Sequence, residues 1–176
     1  VINSNTKMIV MNYPNNPTGK ILPKKLQDNI IEISKKNDLY VLSDEIYSEY
    51  AFTEWKSVLS YEYDKSIITQ SFSKSHAMTG YRIGYVVANQ MIIDKMASLQ
   101  ALSITNVSEP IQYVALQALN ADISNNSKLI KSKIDILVER MTQLKLQFIK
   151  PDGAMYIFAK IRDDFDATKL AFDLLE

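Results

Sequence analysis

The chain has 176 residues, enough for one complete domain or parts of two at ~100–200 residues per domain. Its 47% hydrophobic and 23% charged residues describe a chain that buries a core and exclude a disordered one. Twenty basic and twenty acidic side chains cancel to a formal charge of zero without long blocks of one sign, which leaves no electrostatic footprint for nucleic acid or an anionic membrane surface.

Cysteine is absent and His76 is the single histidine, so disulfide scaffolds and thiolate nucleophiles are excluded, and no metal cluster or Ser-His-Asp triad is expected. No apolar run approaches the ~18–20 residues that span a bilayer, and residues 1–6 lack the basic-then-apolar order of a signal peptide. With cysteine missing as well, a cytoplasmic location is expected. The chain opens without Met and closes inside a helical pattern, Lys-Leu-Ala-Phe-Asp-Leu-Leu-Glu at 169–176, with no stop signal. Both ends therefore read as cut, and the chain as an internal piece of something longer.

In chain order, residues 7–13 form a short apolar run that ends in Pro, Asn and Gly, a buried strand leading into a loop. Pro23 opens a helix in which Leu26, Ile30 and Ile33 share helical spacing, with Asn37 placed for a left-handed cap. Strands are expected at 40–43, 67–72 and 82–88. Their apolar residues are nearly continuous, which points to a sheet covered on both faces and an α/β class. Three helices follow, at 91–102, 110–119 and 127–147, the last with Leu129, Ile130, Ile134, Leu137, Met141 and Leu144 on one stripe. The Pro151-Asp152-Gly153 turn then precedes a strand at 155–161 and a final helix from about Asp166, capped within Asp163 to Asp166. A domain boundary is placed near residue 126, giving units of 1–126 and 127–176.

Four clusters lie at predicted strand ends, where open α/β sheets gather their ligands. They are Asn12-Tyr13-Pro14-Asn15-Asn16-Pro17-Thr18-Gly19, Ser43-Asp44-Glu45-Ile46-Tyr47, Ser71-Phe72-Ser73-Lys74 and Gly80-Tyr81-Arg82-Ile83-Gly84. A lysine that binds an aldehyde needs an environment of burial, cations or dipoles that eases loss of its proton; Lys74 directly follows an apolar strand, between two serines. A carboxylate at a buried strand end, such as Asp44, needs a partner, because burying it alone costs several kcal/mol. Arg82 offers a planar fork for phosphate oxygens. Glu45 reads as structural, His76 as a packed imidazole, and Gly80 and Gly84 as permitting tight turns around Arg82.

Together the four clusters resemble the class I and II aminotransferases, pyridoxal-phosphate enzymes of fold type I, over essentially all 176 residues. The resemblance implies a three-layer α/β large domain with a mostly parallel sheet, followed by the start of a smaller α+β domain. It implies pyridoxal 5'-phosphate as cofactor, amino acids and 2-oxo acids as substrates, and a homodimer. Lys74 then carries the cofactor as a Schiff base and shuttles the α-proton. Asp44 holds the pyridine nitrogen protonated, Tyr47 and Asn16 donate to the phenolic oxygen, and Ser71, Ser73 and Arg82 bind the phosphate. It also implies a cis bond between Asn16 and Pro17. An upstream glycine-rich turn, an upstream stacking aromatic and a downstream carboxylate-binding arginine have no counterpart in the chain; Arg140 and Arg162 lack that arginine's context. The segment by itself is therefore expected not to transaminate and to self-associate through apolar faces. Two other readings share the motifs: a lyase or synthase on the same fold, and the aminotransferase-like sensor domain of a transcription regulator.

Overall fold

The computed structural model describes residues 2–161 and 166–175. Four strands form one sheet in the order β1-β2-β3-β4: β1 Met8–Asn12, β2 Tyr40–Asp44, β3 Ser66–Ser71 and β4 Gly84–Val87. The first three run parallel, with Asn12 opposite Asp44 and Asp44 opposite Thr69. Only β4 is antiparallel, pairing Ser71 with Gly84. The carboxyl ends of three strands and the start of the fourth thus share one edge, the edge to which all four motifs are attached.

One face of this sheet carries Met11, Val41 and Ile68, buried together with Leu22, Ile31 and Val58 and flanked by Ile9, Ile30 and Tyr63. Burial of such side chains stabilises the sheet by about 1.5–3 kcal/mol each. On the opposite face of β1, Met8 and Val10 remain exposed among the described residues, Val10 at 64%.

Helix α1, Lys24–Lys36, supplies the cover on the packed face, with a register that hydrophobicity misplaces. Leu26 and Ile33 are exposed, and the buried positions are Gln27, Ile31 and Ser34. Two polar side chains enter the seam because each finds a carbonyl there: Gln27 Nε2 donates to Lys56 O at 2.9 Å and Ser34 Oγ to Ile30 O at 2.8 Å. The left-handed residue after α1 is Asp38, φ 55°, not Asn37. Its amide bonds Lys35 O and the Leu39 amide bonds Ser34 O, the two closures of a Schellman motif. Asn37 instead turns its amide side chain back onto Ile33 O.

A second Schellman closure corrects the long helix. Helix α5 spans Ser124–Gln143 rather than running to 147. Lys145 takes φ 55°, with its amide on Thr142 O and that of Leu146 on Met141 O. A lysine gives no stop signal in sequence, so the helical stripe alone does not reveal the break before strand β5, Gln147–Ile149. That strand pairs antiparallel with β6, Phe158–Lys160, which is shorter than the expected 155–161. The remaining helices are α2 Phe72–Ser75, α3 Gln90–Ser103, α4 Glu109–Ala118 and α6 Ala167–Asp173. Asp166 caps α6 by accepting from the Thr168 and Lys169 amides, whereas Asp163 and Arg162 lie outside the described residues. Among the described residues no helix is long and apolar enough to cross a membrane.

Gly84 is the one glycine on which the sheet edge depends sterically. A Cβ there would stand 2.5 Å from Gln70 O, a backbone atom of the neighbouring strand. Gly84→Ala is expected to cost ~2 kcal/mol or more by forcing β4 off β3, measured as a lower midpoint in urea unfolding. Gly80 lies in the single 3-10 turn Thr79–Tyr81, but a Cβ there would meet nothing within 4 Å, so the turn does not require glycine on steric grounds.

Candidate active site

Loop 13–20 leaves β1 through two cis peptides, Tyr13-Pro14 and Asn16-Pro17. The second matches the sequence reading; the first was not foreseen. Asn15 organises the loop: its Oδ1 accepts from the Thr18 amide at 3.1 Å and hydroxyl at 2.6 Å, and its Nδ2 donates to Asn12 O. Gly19 closes it at φ +68°, a left-handed conformation that costs a residue with a Cβ ~1–2 kcal/mol. The neighbouring Asn16 side chain acts on the Tyr47 phenol, favouring loss of its proton.

At the end of β2, Asp44 Oδ1 accepts from the Ile46 amide at 3.3 Å and from Thr69 Oγ1 at 3.4 Å. The chain then turns, and Glu45 points the other way, 1% exposed, with Oε1 accepting from Ser43 Oγ at 3.0 Å and Val58 N at 2.9 Å. Its role is structural. Glu45→Ala should cost ~2–4 kcal/mol by orphaning two buried donors, and Glu45→Gln, which keeps the acceptor oxygen, should recover most of that; paired urea melts measure both.

Tyr47 is 4% exposed. Its Oη lies 2.5 Å from Tyr156 Oη, with the rings edge to face at 5.5 Å. Burial first, and the Tyr156 hydroxyl second, push the Tyr47 phenol well above the usual tyrosine range, while the Asn16 side chain acts in the opposite direction. Tyr47 therefore stays a neutral hydrogen-bond donor at physiological pH.

At the end of β3, Ser71 caps α2, its Oγ accepting from the Ser73 amide at 3.0 Å. Lys74 follows in the middle of this single turn. Its carbonyl accepts from Tyr50 Oη at 2.7 Å, and Phe72, Met78 and Ile83 anchor the segment against Ala115 of α4. No hydrogen bond or ion pair engages the Lys74 amine among the described residues. Thr79 ties the next loop together: its Oγ1 donates to Ser73 O at 2.9 Å, and its carbonyl accepts from Arg82 Nη1 at 2.8 Å. Arg82 is exposed and holds φ 53°, an uncommon conformation for a residue other than glycine, so the 82–88 strand begins only at Gly84. His76 caps α2, with Nδ1 2.8 Å from Ser75 Oγ and its ring against Phe72.

Asn16, Asp44, Tyr47, Ser71, Ser73, Lys74 and Arg82 thus all lie on the one sheet edge. Asn16 and Asp44 both bear electrostatically on the Tyr47 hydroxyl, and Tyr50 ties the Lys74 backbone to the same cluster. The Arg82 guanidinium bonds backbone rather than another member of the set. Three positioning residues gave no usable sequence signal: Tyr50, Thr79 and Tyr156. Tyr156 stands 109 positions from the residue it touches.

The aminotransferase class I and II family model matches residues 1–176. The chain belongs to that family. It is 34% identical over 162 residues to an aspartate aminotransferase of Thermotoga maritima, an alignment covering 90% of the chain and 43% of the relative. It is 33% identical to a probable N-acetyl-LL-diaminopimelate aminotransferase of Bacillus subtilis, covering 97% of the chain and 44% of the relative. The crystal structure of the Thermotoga maritima aspartate aminotransferase superposes with a TM-score of 0.91 at 33% identity, over 97% of this chain and 46% of that one. The chain spans less than half the length of these aminotransferases, and its mostly parallel α/β architecture is theirs.

Several groups on this aminotransferase edge fit pyridoxal phosphate chemically. The Lys74 amine has no partner among the described residues, and Asn12 Oδ1, opposite Asp44 in the sheet, is buried without a hydrogen bond, as is Ser66 Oγ at the far end of β3. Buried polar atoms of that kind are uncommon unless a ligand or water completes them. Amine, carboxylate, phenol, amide, hydroxyls and guanidinium together form the donor set that an aldehyde, a pyridine nitrogen, a phenolic oxygen and a phosphate require.

Proposed function

We propose that this chain is the cofactor-holding part of a pyridoxal-phosphate-dependent aminotransferase that moves an amino group between an amino acid and a 2-oxo acid. Pyridoxal phosphate supplies an aldehyde onto which amines exchange and a ring that withdraws electrons from the substrate α-carbon. Lys74 would hold that aldehyde covalently and afterwards carry the proton at the α-carbon. Asp44 keeps a proton on the ring nitrogen. Tyr47 and Asn16 donate to the phenolic oxygen, while the hydroxyls of Ser71 and Ser73 and the Arg82 fork bind phosphate.

The observation that carries the reading is the setting of Lys74. Its backbone is fixed by Tyr50 and by the apolar cluster beneath α2, its amine is unpartnered among the described residues, and it shares an edge with Asp44 and Tyr47. The relatives reported above are named as aminotransferases, which favours transamination over a lyase or synthase on the same fold. In the same reading, residues 1–126 belong to the large domain, and 127–176 run through α5 into a smaller one. The whole protein is a cytoplasmic homodimer.

A coupled assay over a panel of amino-acid and 2-oxo-acid pairs, run on the whole protein with pyridoxal phosphate, tests the activity. Turnover of at least one pair is expected. Stoichiometric cofactor binding with no turnover across the panel would overturn the aminotransferase reading in favour of a lyase or synthase on the same fold or a sensor.

A further inference from the structure

The segment that carries Tyr156 is built as a strap across the site. Gly19 O accepts from the Asp152 amide at 2.8 Å and the Gly153 amide at 2.9 Å, Phe52 N donates to Asp152 O, and Ala154 N to Tyr50 O. Lys20 pairs with the Asp152 carboxylate. Gly153 admits no side chain, because a Cβ would lie 2.9 Å from Tyr50 O and 3.1 Å from Pro14. Ala154 is fully buried against Tyr47 and Tyr50. The strap therefore locks onto the loop that presents Asn16 and onto Tyr50, the residue that holds the Lys74 carbonyl, and it delivers one further polar group to the site, the Tyr156 hydroxyl.

A phenol has one proton to donate and can accept as well. The 2.5 Å contact between Tyr47 and Tyr156 uses one proton of the pair. If Tyr47 spent its own proton on Tyr156, it would have none for an acceptor in the cleft. If Tyr156 donates, Tyr47 Oη accepts from it and the Tyr47 proton is free to turn to the cleft.

We propose that Tyr156 is a positioning residue that donates to Tyr47 Oη and so directs the Tyr47 proton at the phenolic oxygen of the cofactor. The inference rests on the proposed function and adds to it a residue from the far end of the chain. The strap sets that donor: whatever unseats residues 151–156 also frees the Tyr47 hydroxyl to rotate. Asp44 is the charged group that bears on Tyr47, and Asn16 is its other polar neighbour.

The test uses the whole protein loaded with pyridoxal phosphate and follows the pH midpoint of the visible absorbance of the lysine-bound cofactor. A hydrogen bond to the phenolic oxygen favours its deprotonated, anionic form, so weakening the bond raises the midpoint. Tyr156→Phe keeps the ring and its edge-to-face contact and is expected to raise the midpoint by about half a pH unit or more, a ~3-fold change in the proton equilibrium. Tyr47→Phe should raise it further, and adding Tyr156→Phe to Tyr47→Phe should change nothing more. A Tyr156→Phe midpoint equal to wild type, with or without a lower melting temperature, would reduce Tyr156 to a packing residue and overturn the proposal. So would equal midpoint shifts in the two backgrounds. If the wild type shows no visible band that Lys74→Ala removes, the proposed function itself fails, and this inference with it.

Discussion

Lys74→Ala in the whole protein is expected to lower transamination by about 10³-fold or more, since the residue serves both as covalent anchor and as proton carrier. The fold should survive the change. The Lys74 amine makes no hydrogen bond or ion pair among the described residues, and the contact that fixes the turn uses the backbone carbonyl, which Ala retains. Unfolding free energies within ~0.5 kcal/mol of wild type are therefore expected beside the loss of turnover. Unimpaired steady-state turnover in the variant would remove Lys74 from the chemistry.

Asp44→Asn should lower kcat by about 10²–10³-fold, the order associated with losing one preorganised electrostatic partner of a developing charge. Asn is nearly isosteric and preserves an acceptor for the Ile46 amide and the Thr69 hydroxyl, so the turn after β2 should stay intact while the negative charge is gone. The expected pattern is a loss concentrated in kcat with cofactor occupancy largely kept. Steady-state kinetics beside cofactor absorbance measure both. Wild-type kcat in Asp44→Asn would show that the carboxylate serves the turn and nothing more.

What could be read in the sequence divides along a physical line. Local signals were reliable where one residue type has one good use. The strand-to-loop transition at Asn12, the two-proline turn, the start of α1 at Pro23 and the cap at Asp166 all follow from backbone preferences that act over a few residues. The site motifs were legible for the same reason, because each is contiguous and sits at a strand end. Errors arose where a residue does an unusual job. Gln27 and Ser34 are buried because carbonyls await them, and a hydrophobic stripe does not reveal that. Lys145 ends a helix in a conformation usually left to glycine, so the α5 stripe ran four residues too far. The antiparallel direction of β4 left no mark in its apolar pattern. Tyr156 escaped notice because its partner is remote in sequence and is brought near only by the strap that joins Gly19, Tyr50 and Gly153.

The central claim is that this sheet edge holds a carbonyl cofactor on one particular lysine. Borohydride reduction of the whole protein with bound pyridoxal phosphate, followed by proteolysis and mass mapping, tests it most directly. The account predicts one stoichiometric tag, on the peptide that contains Ser71-Phe72-Ser73-Lys74, and none at this position in Lys74→Ala. A stoichiometric tag on any other lysine, or label spread thinly over exposed lysines at the level seen with an unrelated protein, would contradict it.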